Sequence, residues 1–208
     1  MENALFTRAD EPGLRLIETL GWDGSRVARL GLHLDRLDRS AGLLGWGCDR
    51  VAVEAALRAA VPVGAARMRV TLDAAGRVEV TAADLPAGKP VWALGLAKAR
   101  LWSGDPWLRV KSTRRAVYDA ARAGLAAGLD EVVFLNERGE VCDGTITTLF
   151  FDRGQGLRTP PLSCGLLPGV LRAEMAVTEE VLLAADLATV RLWVGNSLRG
   201  LMDARWVG

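Results

Sequence analysis

The sequence has few of the residues that build metal cages and disulfide frameworks. Among 208 residues there are three cysteines and one histidine. Cys48, Cys142 and Cys164 are odd in number, widely spaced and without a C-x-x-C pair. With His33 alone beside them, zinc fingers, Cys/His metal sites and disulfide scaffolds are excluded, and no metal is expected. Charge of one sign is also missing: 26 Lys+Arg against 25 Asp+Glu leave +1, so no long-range field favours nucleic acid or an anionic membrane. No apolar run reaches membrane-spanning length. The opening Met1-Glu2-Asn3-Ala4-Leu5 has no basic stretch followed by an apolar one. The expectation is a cytoplasmic protein with neither nucleic acid nor membrane as partner. Primary amines are scarce too, Lys89, Lys98 and Lys111 being the only lysines. Arginine stays protonated, so chemistry that needs a neutral primary amine has three candidates.

What is present is ordinary globular material, half hydrophobic and a quarter charged. Strand-like alternation along Leu14–Leu20 turns at Asp23-Gly24 and returns through Arg26–Leu30. Leu30, Leu34, Leu37, Ala41 and Leu44 keep helical spacing up to Gly45, and residues 51–61 predict a second helix closed by Pro62. A hairpin is expected around Asp73–Gly76, a strand over Val91–Leu96, and a linker at Ser103-Gly104-Asp105-Pro106. Beyond it, Trp107–Val110 reads as a short strand running into Lys111 and a helix that Ser112 or Thr113 would cap. Hairpins follow around 136–139 and 153–156. Pro168-Gly169 opens a long helix expected to reach Ala184, and two strands finish the chain. The pattern predicts an α+β fold in two lobes, residues 1–105 and 106–208.

Two positions invite chemistry. Lys111 is expected before a helix N-terminus and beside Arg114-Arg115, where positive potential disfavours its ammonium form and favours the nucleophilic amine. A lysine at a strand end reaching solvent fits the same position. Gly165-Leu166-Leu167-Pro168-Gly169-Val170-Leu171-Arg172 opens a helix whose first amides suit an anion. It carries neither a P-loop nor a G-x-G-x-x-G pattern, and an ordinary capped helix start reads equally well.

Together these segments resemble a known family. Lys111-Ser112-Thr113-Arg114-Arg115-Ala116-Val117-Tyr118 is similar to the lysine segment of class IV (fold type IV) pyridoxal-phosphate enzymes. Asn136–Phe150, with Asp143-Gly144-Thr145-Ile146-Thr147-Thr148, resembles that family's signature. So does Thr159–Arg172, and Arg29-Leu30-Gly31-Leu32-His33-Leu34-Asp35-Arg36-Leu37 matches its Arg-x-x-x-His-x-x-Arg-Leu helix entry. Within the family, Thr159–Arg172 and Asn196-Ser197-Leu198-Arg199-Gly200 resemble the 4-amino-4-deoxychorismate lyases more than the branched-chain or D-amino-acid aminotransferases.

The resemblance implies a two-lobed fold like that of D-amino-acid aminotransferase, with pyridoxal 5'-phosphate as cofactor. Lys111 would carry the cofactor on its amine and move protons. Asp143 would take the place of the family's glutamate beside the pyridine nitrogen. Arg29, the amides of Val170 and Leu171, and the hydroxyl region of Thr147 and Thr148 would hold the phosphate, Thr148 standing where the family usually has asparagine. Arg199 and Arg100 are candidates for the substrate's carboxylates, and His33 is expected as a hydrogen-bonded helix residue. The implied reaction is loss of pyruvate from 4-amino-4-deoxychorismate to give 4-aminobenzoate for folate synthesis. A class IV aminotransferase acting on branched-chain or D-amino acids is the alternative. A non-catalytic relative, suggested by Asp143 and Thr148, ranks third. A homodimer and association with aminodeoxychorismate synthase are implied as well.

Overall fold

In the computed structural model the alternation over Leu14–Leu20 becomes strand β1, Leu16–Trp22. The structure describes residues 9–208, and the opening Met1–Leu5 lies outside them. Helices α1, Leu30–Leu44, and α2, Arg50–Ala59, follow. The leucine spacing that predicts α1 buries Leu34, Leu37, Ala41 and Leu44, and Gly45 ends the helix in the left-handed conformation at φ 73°. The Asp49 carboxylate caps α2 by accepting from the amides of Val51 and Ala52. Strands β2, Ala66–Leu72, and β3, Val78–Ala83, form the expected hairpin.

β1 does not fold back on Arg26–Leu30. It pairs antiparallel with β2 from Leu16↔Leu72 to Trp22↔Ala66, and only the bridge Trp22↔Val27 remains of the hairpin. The physical reason is burial: the long pairing sets Leu16 and Leu20 on one face with Met68, Val70 and Leu72, all of them buried. Asp23 meanwhile accepts from the amides of Ser25 and Arg26, which holds the chain in a tight turn.

The second sheet has eight strands in the order β6-β5-β4-β11-β10-β7-β8-β9. They are β4 (Val91–Leu101), β5 (Glu131–Asn136), β6 (Val141–Gly144), β7 (Thr148–Asp152), β8 (Arg158–Thr159), β9 (Thr178–Glu179), β10 (Arg191–Asn196) and β11 (Gly200–Trp206). Its helices are α3, Ala116–Ala123, and α4, Val170–Met175. Trp92, Leu94, Val133, Leu149, Phe151 and Val194 form one side of its core. The architecture is α+β.

Three local readings differ. Pro106–Arg109 is a 3₁₀ turn, not a strand, because the Asp105 side chain accepts from the Trp107 amide and Pro106 presets the first helical φ. α3 begins at Ala116, five residues after Lys111; Thr113 Oγ1 accepts from the Arg15 amide and does not cap it. α4 stops at Met175 because Ala176 turns left-handed at φ 46°, and Thr178-Glu179 pair with Arg158-Thr159.

The chain divides into two compact units, one running through Ala87 with Val110–Arg114, the other comprising Gly88–Arg109 and Arg115–Gly208. The division therefore differs from 1–105 and 106–208. β4 pairs with β11 and β5 in the large sheet, whereas the segment around Lys111 pairs with β1. No helix among the described residues is long and apolar enough to cross a membrane.

Candidate active site

Lys111 sits on an extended segment stitched to β1. Its carbonyl accepts from the Ile17 amide at 2.8 Å, Thr113 N–H donates to the Arg15 carbonyl at 2.8 Å, and Ser112 bridges Leu16. The backbone is thus fixed by sheet-like bonds on both sides of the lysine, whose residue is half-buried. The other two lysines differ: Lys89 is ion-paired with Asp130 at 2.7 Å, and Lys98 is exposed on β4.

In the same unit Arg29 immediately precedes α1, with φ 56° and ψ 29°. A non-glycine residue in this region carries strain on the order of 1 kcal/mol, which persists where the surroundings impose it. Here the Arg29 carbonyl accepts from the His33 amide at 3.1 Å. His33 in turn places Nδ1 2.6 Å from Glu18 Oε2, and Arg36 donates to both oxygens of Glu18 at 2.8 and 2.6 Å. All three side chains are buried. Burial pushes the Glu18 carboxyl up, but the Arg36 charge and the hydrogen bonds from Arg36 and His33 outweigh it and bring it down to about 2. His33 is therefore a hydrogen-bonded helix residue, as its position suggests.

In the second unit, Asp143 lies near the end of β6, Thr147 in the turn that joins β6 to β7 and Thr148 at the start of β7, and all three are buried. The Thr147 hydroxyl donates to Glu131 Oε2 at 2.9 Å. Thr148 lies against Gly169: a Cβ on that glycine would stand 2.8 Å from Thr148 Oγ1. The absence of a side chain there lets the start of α4 approach the turn. The amides of Val170 and Leu171 open that helix, where they have no acceptor within it. Their side chains are buried and fix the helix start from behind.

Tyr118 is the chain's only tyrosine, and its ring meets Phe134 edge-on at 5.0 Å. Burial first, then the charges of Asp143 and Cys142, push its hydroxyl well above its ordinary range, so it stays protonated. Burial likewise pushes the Cys142 thiol up and raises Cys164 to about 12. Neither buried thiol is a ready nucleophile.

Arg199 stacks over the Trp92 ring at 5.4 Å, and its amide donates to Asn196 Oδ1. Arg100 donates to the Asn136 carbonyl from an exposed position on β4. Sequence reasoning missed the two buried carboxylates that organise these surroundings, Glu18 and Glu131. Both carry a signal: each falls at an inward position of an apolar strand, Glu18 with Leu16 and Leu20, Glu131 with Val133 and Leu135.

The amino-transferase class IV family matches residues 15–207. A Schizosaccharomyces pombe protein named "Putative aminodeoxychorismate lyase" is 32% identical over 168 residues, covering 77% of this chain and 72% of that protein. A solved Mesorhizobium loti structure named "Putative amino-acid aminotransferase" is 42% identical with a TM-score of 0.89, over 93% of this chain and 100% of that one. The 4-amino-4-deoxychorismate lyase of Pseudomonas aeruginosa shares the fold, with a TM-score of 0.77 at 23% identity over 92% and 82% of the two chains. From Arg15 to Val207, the chain belongs to the class IV aminotransferase family.

Proposed function

We propose that this chain is a pyridoxal 5'-phosphate-dependent lyase that converts 4-amino-4-deoxychorismate into 4-aminobenzoate and pyruvate. The observation that carries the reading is the 32% identity to the S. pombe protein across 77% of the chain. What supports the cofactor is the close packing of Gly169 on Thr148, beside two amides of the α4 start that have no acceptor within the helix and would suit a phosphate. Val170, Leu171 and Thr148 would hold the phosphate, and the family resemblance implies Arg29 for the same group. Asp143 would hold the pyridine nitrogen, and Lys111 would supply the attaching amine. When bound, the cofactor supplies an electron sink for the electrons released at the substrate's amine-bearing carbon.

The chain's own groups divide the remaining work. Lys111, the only group in the set able to bind a carbonyl and carry a proton, would take the proton from that carbon; the ring carbon–oxygen bond then breaks, and the departing enolpyruvyl group takes up a proton to become pyruvate. Arg199 and Arg100 would offer permanent charge to the substrate's carboxylates. Thr147, whose proton is engaged by Glu131, would contribute through its place in the turn.

The test supplies cofactor-loaded protein with 4-amino-4-deoxychorismate and quantifies both products. Equal amounts of 4-aminobenzoate and pyruvate are expected. No product from protein that holds the cofactor would overturn the lyase reading. The 42% identical M. loti protein favours a second reading, an amino-acid aminotransferase. That reading requires an amino acid to convert the bound cofactor into its amine form, visible as a spectral change. The fit itself is tested by Gly169→Ala, whose methyl must displace the buried Thr148. We expect cofactor affinity to fall by about 10-fold, the effect of disturbing a group that orients a direct contact, measured by titrating the apoprotein. The family resemblance also implies a homodimer, which light scattering would report as twice 22.3 kDa.

A further inference from the structure

We propose that Glu131 is the positioning residue for the Asp143–Thr148 turn, holding its amides and hydroxyls so that Asp143 and Thr148 keep their places for the cofactor. The inference rests on the cofactor reading above and adds a residue that makes no contact with the cofactor itself.

Glu131 opens β5, and it is the one charged residue in Glu131–Asn136. Its exposure is zero. A buried carboxylate is costly unless its oxygens are satisfied, and an apolar residue of similar volume would serve packing alone at least as well. Here five donors satisfy it. Oε1 accepts from the amides of Val132 at 3.1 Å and Thr145 at 3.0 Å, and from the Thr145 hydroxyl at 2.5 Å. Oε2 accepts from the Ile146 amide at 3.2 Å and the Thr147 hydroxyl at 2.9 Å. Arg122 Nη1 stands 3.6 Å from Oε1. A carboxylate offers about four lone-pair directions, so this one is filled.

Four of the five donors belong to Thr145, Ile146 and Thr147, fourteen to sixteen residues downstream. Glu131 therefore binds a turn, not its own strand. The turn's carbonyls are held by other donors. Arg115 donates to the Thr145 carbonyl, Asn196 to the Ile146 carbonyl, and the Gly144 amide closes the turn on the Thr147 carbonyl at 2.7 Å. Gly144 is required by the same packing, since a Cβ there would lie 2.9 Å from Glu131 Oε2 and 2.5 Å from Thr147 Oγ1. Asp143 lies two residues before the clamped Thr145–Thr147 and Thr148 one residue after it. A shift of the turn moves both, and with Thr148 the surface against which Gly169 packs.

Glu131→Gln keeps the shape and tests the clamp. Glutamine has one acceptor oxygen, so its amide nitrogen must face either the two donors at Oε2 or the three at Oε1. In the apoprotein, hydrogen exchange at Thr145 and Ile146 is expected to accelerate at least about 10-fold, while circular dichroism is unchanged. The cofactor dissociation constant, from titration of the apoprotein, is expected to rise about 10- to 100-fold, the range for groups that orient direct ligands. Thr145→Val removes one hydroxyl donor outside the proposed cofactor set. It should show a smaller rise in the same constant, with recovery in Thr145→Ser, and it decides the matter if Glu131→Gln does not fold. Faster exchange with native cofactor affinity in the folded variants would overturn the proposal and leave Glu131 a structural residue. If the native chain itself fails to take up pyridoxal 5'-phosphate, the functional reading falls and this inference with it. Uptake by the native chain and the variants alike sinks this inference alone.

Discussion

Replacing Lys111 by alanine is expected to lower the formation of 4-aminobenzoate and pyruvate by at least about 10³-fold without changing the fold. The fold should survive because the bonds that hold this segment are made by backbone: the Lys111 carbonyl with Ile17, and Thr113 with Arg15. Alanine keeps them. Activity should not survive, because no other group of the proposed set combines a nucleophilic amine with proton transfer. Arg29, Arg100 and Arg199 carry guanidinium groups, which do not replace a primary amine, and Lys89 is ion-paired with Asp130. Lys111→Arg separates charge from nucleophilicity. It keeps a cation of similar reach, so near-native turnover in that variant would show that Lys111 acts only by charge and would overturn its assigned role. Borohydride reduction of the loaded native protein should fix the cofactor on the peptide containing Lys111 and leave both variants unlabelled. Label on Lys89 or Lys98 would overturn the assignment as well.

Much of the fold was legible wherever a local pattern decides the structure. The leucines from Leu30 to Leu44 specify α1, and Asp73–Gly76 specifies the β2–β3 hairpin. The ordered run of Lys111, Asp143-Gly144 and Pro168-Gly169 pointed to the family that the comparisons bear out. Failures occurred where a distant partner or a single cap overrides the local pattern. Asp105 and Pro106 turn the segment around Trp107-Leu108 into a 3₁₀ turn. β1 prefers the long pairing with β2 to a short return through Arg26–Leu30. α4 ends early because Thr178-Glu179 find a strand to join. The division into units moved for the same reason, β4 being claimed by its parallel neighbours β5 and β11.

The residues proposed for the site come from local motifs, whereas what supports them lies far off in the sequence. Glu131 meets its turn across fourteen to sixteen residues, and Glu18 meets Arg36 across eighteen. No periodicity announces such pairs. What the sequence offers is a negative sign: a carboxylate on the apolar side of a strand must have partners or it would not be there. The partners themselves come only from the fold.

Glu18 carries the second large effect. Glu18→Ala is expected to destabilise the protein by about 3–5 kcal/mol, read as a fall in the urea midpoint at neutral pH. Most of this reflects what the truncation leaves behind, since Arg36 and His33 stay buried with their shared acceptor gone. Removing both ends of the pair, as in Glu18→Leu with Arg36→Met, should recover much of the loss, because the desolvation penalty goes with the charges. If the double variant is no more stable than Glu18→Ala, the ion pair is not the source of the effect. The same group sets a pH dependence whose sign follows from its titration. Its folded pKa lies at about 2 against an ordinary 4.5, so the unfolded chain takes up a proton first as acid is added. The stabilisation is complete above pH 4.5 and is lost as pH falls from there through about 2. That drop corresponds to roughly 3 kcal/mol. Urea titrations at pH 7 and pH 3 should therefore converge for native protein and Glu18→Gln, the native losing more on acidification. Parallel losses in the two proteins would mean that Glu18 does not hold its charge in the folded state. At neutral pH, Glu18→Gln should also weaken the hold on the start of α1, because the His33 amide that meets the Arg29 carbonyl belongs to the residue whose ring Glu18 fixes. A loss of cofactor affinity in a folded Glu18→Gln protein would tie this buried cluster to the arginine proposed for the phosphate.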